Sequence, residues 1–128
     1  MLKSKKPPLE HTDTLIGKDS VMEGKIRSQA GIRIEGQMKG DIDCEGDCII
    51  GESSVAESNI RARNVSIAGK VIGDVHASGT LSILSSGTLI GNCRVKMLVI
   101  EEGGIFHGQS HMLDNTQLPA GKTSQPVA

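Results

Sequence analysis

Apolar and polar residues alternate along most of this chain, and glycine interrupts the alternation at regular intervals. The unit is plainest in Ile67-Ala68-Gly69-Lys70-Val71-Ile72-Gly73-Asp74-Val75, where apolar residues at 67, 71 and 75 flank glycines at 69 and 73. Residues 34–42 repeat it position for position. Looser copies, with two extra residues before the second glycine, run over 16–26, 50–60, 83–93 and 100–110, with Ser58 in the glycine position of the second of these. The leading apolar residue falls at 16, 34, 50, 67, 83 and 100. A period near 17 residues repeated about six times predicts a stacked solenoid.

Superposing the copies sorts the apolar residues into three columns. The first holds the pairs Thr14/Ile16, Ile32/Ile34, Cys48/Ile50, Val65/Ile67, Leu81/Ile83 and Leu98/Ile100, each two residues apart and so on one side of a strand. The second holds Met22, Met38, Ala56, Val71, Leu89 and Phe106. The third holds Ile26/Ser28, Ile42/Cys44, Ile60/Ala62, Val75/Ala77, Cys93/Val95 and Ser110/Met112. Three short strands per turn, each giving one column to the interior, predict an all-β fold: a single triangular parallel β-helix of about six turns. Glycines 24, 40, 73, 91 and 108 fall at the corners, where a positive φ or the lack of room for a Cβ favours them.

The repeat stops at both ends. Residues 1–13, with Lys3, Lys5, Lys6 and Pro7-Pro8, are expected as a disordered N-terminal tail, residues 14–113 as the β-helix domain, and residues 114–128 as a disordered C-terminal tail. Neither tail reads as an amphipathic helix able to cover an end of the solenoid. Open ends expose unpaired strand edges and core side chains, a template for another copy of the same chain.

Composition narrows the functional classes. The chain of 128 residues has one aromatic, Phe106, so its core must be aliphatic. Fourteen basic against fifteen acidic residues do not suit a protein that tracks a phosphate backbone, and no nucleic acid partner is expected. No Gly-rich phosphate loop leads into a helix, so no nucleotide is expected either. Cys44, Cys48 and Cys93 are odd in number and follow no secretory signal, which suits reduced thiols in a cytoplasmic protein. Cys44 and Cys48 align with apolar positions of other turns and are expected to be small core residues. His107 and His111 are four apart, a spacing that does not gather ligands on strands, and neither metal nor cofactor is expected. Asp41, Asp43, Glu45 and Asp47 form an outward acidic row, with Arg61 and Arg63 one turn later to flank it.

The competing class is a hexapeptide-repeat enzyme, a left-handed β-helix acting as an acyltransferase or as a zinc-dependent, carbonic anhydrase-like trimer. Residues 16–21 and 50–55 fit its six-residue unit. Turns that vary between 16 and 18 residues break the strict register that such a helix keeps.

The glycine-spaced repeats over residues 14–112, flanked by short tails with lysines in the first, resemble the bactofilins, bacterial polymer-forming cytoskeletal proteins. The resemblance implies a right-handed helix and a non-enzymatic scaffold that assembles end to end into nucleotide-independent filaments. It further implies a peripheral location on the inner face of the cytoplasmic membrane, and a role in cell shape and in positioning cell-wall synthesis or remodelling proteins. Met1-Leu2-Lys3-Ser4-Lys5-Lys6 looks like the family's membrane-targeting peptide, so Met1, Leu2, Lys3, Lys5 and Lys6 are candidate membrane-binding residues. Each lysine would add about 1 kcal/mol at an anionic surface. Phe106 looks like the family's phenylalanine near the polymer contact. With Leu89, Ile100, Ile16 and Met22 it makes up the candidate polymerisation interface.

Overall fold

A computed structural model of the chain describes residues 12–113. Every element in that range is a β-strand, and every strand pair is parallel. The first turn consists of β1 (Thr12–Ile16), β2 (Val21–Glu23) and β3 (Ile26–Ser28). The second holds β4 (Gly31–Ile34) and β5 (Gln37–Cys44), and the third β6 (Asp47–Ile50) and β7 (Val55–Ala62). The fourth starts with β8 (Asn64–Ile67) and β9 (Lys70–Ile72), and its third face merges with the first face of the fifth in β10 (Val75–Ile83). The fifth continues through β11 (Thr88–Ile90) into β12 (Cys93–Ile100), which also opens the sixth. That turn ends with β13 (Ile105–His107) and β14 (Ser110–Met112).

The register confirms the three columns read from the alternation. On the first face Ile16, Ile34, Ile50, Ile67, Ile83 and Ile100 are successive partners. On the second, Met22, Met38, Ala56, Val71, Leu89 and Phe106 stack in order. On the third, Ile26, Ile42, Ile60, Val75, Cys93 and Ser110 do so. Turns stacked about 4.8 Å apart bring identical aliphatic groups into contact, and β-branched side chains suit a pleated surface that is covered on one side. The resulting core is continuous from Ile26 to Val95, with Ile16, Met22, Leu98 and Phe106 packed against it from the two ends.

The corners hold a second, polar ladder. Asp74 N–H donates to Asn59 Oδ1 (3.1 Å), Asn92 N–H to Asp74 Oδ1 (3.2 Å), and Gln109 N–H to Asn92 Oδ1 (3.1 Å). At another corner Asn64 donates to Asp47 Oδ1 (3.1 Å) and accepts from Thr80 N–H (2.9 Å). Each side chain thereby satisfies a main-chain group of the neighbouring turn where the strand ladder is interrupted. The glycines expected at corners have positive φ, from +123° at Gly24 to +149° at Gly108, and Gly103 joins them at +99°. Ser58, in place of a corner glycine, lies inside β7 with its side chain buried and its hydroxyl without a partner among the described residues.

Candidate polymerisation surfaces at the two ends

The interior columns are saturated by their neighbours, but the terminal turns have a neighbour on one side only. Among the described residues β1 pairs only with β4, β2 and β3 only with β5, β13 only with β11, and β14 only with β12. The last half of β12 pairs only with β10. Among the described residues both ends therefore present three parallel strand edges without a further strand partner, in line with the exposed core.

At the N-terminal end Ile16 and Met22 are partly buried, seated on Ile34 and Met38, which are fully buried. Leu15 and Val21 beside them are 62% and 63% exposed. At the C-terminal end Ile100 is 44% exposed and Phe106 partly buried, with Met97, Val99, Ile105 and Met112 also exposed. Of the residues expected at the interface, Ile16, Met22, Ile100 and Phe106 lie in the outermost turns, two at each end. Leu89 does not: it sits one turn in, fully buried beneath Phe106, because the solenoid continues past it. It supports the end surface without forming it. The flanking groups Leu15, Val21, Met97, Val99, Ile105 and Met112 were missed because alternation assigns most of them to outward positions, which elsewhere carry polar residues. Met1, Leu2, Lys3, Lys5 and Lys6 lie outside the described residues.

Other chemistry is sparse. Cys44, Cys48 and Cys93 are buried free thiols. Burial pushes the Cys48 thiol up to about 12, with Cys44 nearby adding to the rise, and raises Cys44 and Cys93 as well. A thiol held protonated in an apolar site is a poor nucleophile and a poor metal ligand. His107 and His111 point from different faces of the sixth turn. Among the described residues no group of three or more His, Cys, Asp or Glu side chains is placed to hold a metal ion. In the acidic row, Asp47 pairs with Arg63 (3.2 Å). Asp43 lies 4.0 Å from Arg27 of the preceding turn instead of pairing with Arg61, its register partner on the other side. An open groove of about 750 Å³ follows the third face, lined by both acidic (Asp41, Asp43, Asp74) and basic (Lys25, Arg61, Arg94) side chains. No helix among the described residues is long and apolar enough to cross a membrane.

Comparison with known proteins agrees with this arrangement. Residues 14–111 match the family model "Bactofilin: Polymer-forming cytoskeletal". The chain belongs to the bactofilin family. Bactofilin BacO of Myxococcus xanthus (strain DK1622) is 30% identical over 100 residues, covering 78% of this chain and 79% of BacO. Bactofilin BacP of the same organism is 22% identical over 102 residues, covering 80% of this chain but only 42% of BacP. A Thermus thermophilus bactofilin, solved by cryo-EM as double helical filaments, matches with a TM-score of 0.70 at 30% identity over 76% of this chain and 96% of the other. Bactofilins are structural cytoskeletal proteins, so this chain is not an enzyme, and the hexapeptide-enzyme alternative falls. The fold agrees: β5 and β7 each run eight residues through a corner, which a six-residue repeat would interrupt.

Proposed function

We propose that this bactofilin is a scaffold whose subunits join through both open ends into filaments, without nucleotide, along the inner face of the cytoplasmic membrane. There it contributes to cell shape and holds cell-wall synthesis or remodelling proteins in place. The observation that carries the proposal is the exposure of the same column residues at the ends that are fully buried within, in a family described as polymer-forming. Burying a single Ile or Phe side chain contributes about 1.5–3 kcal/mol. An end contact that covers several of them and pairs three strand edges is sufficient for association. Residues 1–6 supply the membrane contact in this reading. One peptide binds marginally, and many on one polymer bind firmly through avidity.

Phe106→Arg tests the assembly, because it puts a charge into the outermost turn of the core, where partners would have to bury it. Negative-stain microscopy and size-exclusion chromatography should show filaments replaced by small particles with the β-solenoid circular dichroism unchanged. Long filaments from this variant would remove Phe106 from the contact. For the membrane, deletion of residues 1–6 should abolish co-sedimentation with anionic vesicles while filaments still form. Undiminished co-sedimentation would show that the anchor lies elsewhere.

A further inference from the structure

The outward side of the third face carries charge whose sign changes from turn to turn. Its central row, in register along the whole stack, is Arg27, Asp43, Arg61, His76, Arg94 and His111. The corner positions beside it add Lys25 to the first turn, Asp41 to the second and Asp74 to the fourth. Glu45 and Lys96, two residues beyond Asp43 and Arg94, repeat the sign of their own turns. The first, third and fifth turns of this face are therefore basic, and the second and fourth are acidic. The chain itself pairs few of these charges. Arg27 and Asp43 lie 4.0 Å apart, with side chains 77% and 39% exposed. Among the described residues no side chain of Lys25, Asp41, Arg61, Asp74 or Arg94 comes within 4.0 Å of an opposite charge. The second face does not share the pattern: its outward row begins Glu23, Lys39, Glu57 and then turns apolar at Ile72 and Ile90.

This alternation decides how two copies can face each other. Parallel and in register, they would set Asp43 against Asp43 and Arg94 against Arg94. Turned end for end about a two-fold axis that runs along the strands, between the third and fourth turns, every odd turn meets an even one. Asp43, with Asp41 and Glu45 beside it, then stands opposite Arg94 and Lys96 of the second copy, and Arg61 lies diagonally across from its Asp74. Each of these contacts is made twice by symmetry. The outermost turns add none, since Gln109 and His111 offer no acid to Lys25 and Arg27. A net charge of −1 puts little long-range repulsion in the way. We infer that the third face is a lateral docking surface for a second, antiparallel copy of this chain, and that it joins filaments side by side. This rests on the end-to-end assembly proposed above, and adds an electrostatic contact at right angles to the apolar one. Exposed ion pairs are individually weak, so two lone copies hold together poorly, whereas the contact repeated along two filaments is firm.

The test exchanges charge between Asp43 and Arg94, which lie three turns, about 14 Å, apart in one chain and so cannot pair within it. Full-length Asp43→Arg and Arg94→Glu are assembled separately at pH 8 and low salt, and compared with the native chain by electron microscopy and light scattering. Native filaments should associate side by side, and should separate in about 0.5 M salt, where the Debye length is about 4 Å. Each variant alone should give single filaments, with scattering lowered about fivefold, because like charges then meet at every Asp43–Arg94 contact. Mixing the two preformed variants should restore the lateral pairs, because every such contact is again between opposite charges. Native filaments that stay single, or variants that pair as well as the native chain, would overturn the inference and leave end-to-end assembly intact. Failure of the native chain to form filaments at all would sink the assembly reading instead. Loss of pairing in both variants with no recovery on mixing would overturn the antiparallel arrangement, since a parallel pair offset by one turn sets Asp43 against Arg27 or Arg61 and is not repaired by a change at Arg94.

Discussion

Ile67 in the fourth turn and Ile100 in the sixth occupy the same position of the same repeat, yet the first is fully buried and the second 44% exposed. Met38 against Met22, and Leu89 against Phe106, show the same contrast in the second column. Strand register does not separate the members of these pairs; the presence of a further described turn does. Burial in this molecule is therefore supplied by the neighbour. Stability is close to a sum of turn-on-turn interfaces, and the ends are interfaces of the same kind that a single chain leaves unmade. In the assembly proposed above, a second subunit requires no new kind of contact and repeats the one already made between turns.

The largest expected effect that could break this contrast comes from truncating the paired isoleucines. On the Phe106→Arg background, Ile67→Ala should cost about 2–5 kcal/mol, because it opens a cavity closed on every side. Ile100→Ala should cost under about 1 kcal/mol, because water already reaches that position. Urea unfolding with a constant m-value measures both. Equal losses would mean that the end turn is covered in the protomer. In the assembling chain the cost at Ile100 should approach that at Ile67.

The middle turns also differ from the ends in their thiols, all three of which lie between the second and fifth turns. Burial raises the folded-state Cys48 value from 9.0 to about 12, so the folded chain holds this proton more tightly than the unfolded one. The stabilisation is complete below pH 9 and is lost as pH rises toward 12, by at most about 1.4 kcal/mol per pH unit. Cys44 and Cys93 are shifted in the same direction. Unfolding followed from pH 8 to 11 should fall more steeply for the native sequence than for Cys48→Ala. Parallel curves would show that Cys48 ionises without opening the core.

The fold was legible because a solenoid repeats its instructions. Alternation fixes which side of a strand faces inward, six copies average out local irregularity, and the corner glycines mark where each face ends. Position 58 shows the limit: a serine there predicts a disturbed corner, yet β7 passes through it and turns the hydroxyl inward. Leu89 shows another, since a residue of the end turn and the core residue behind it are both apolar and differ in being last or next to last.

The smallest expected effect concerns the polar ladder at the corners, which also meets an end. Asn64 Oδ1 accepts from the partly buried Thr80 N–H in the middle of the stack, whereas Asn92 Oδ1 accepts from the exposed Gln109 N–H in the last turn. Removing an acceptor is costly where the abandoned donor is sheltered and cheap where water takes its place. On the Phe106→Arg background, Asn64→Ala should lower stability by about 1–2 kcal/mol and Asn92→Ala by at most about 0.5 kcal/mol. Amide hydrogen exchange locates the difference: Asn92→Ala should accelerate exchange at Gln109 and leave Thr80 protected, because the last turn opens without the rest. Slowed exchange at Gln109 on filament formation, in the native chain, would show that the contact with the next subunit reaches that corner. Exchange as fast in filaments as in the protomer would confine the contact to the core columns and strand edges.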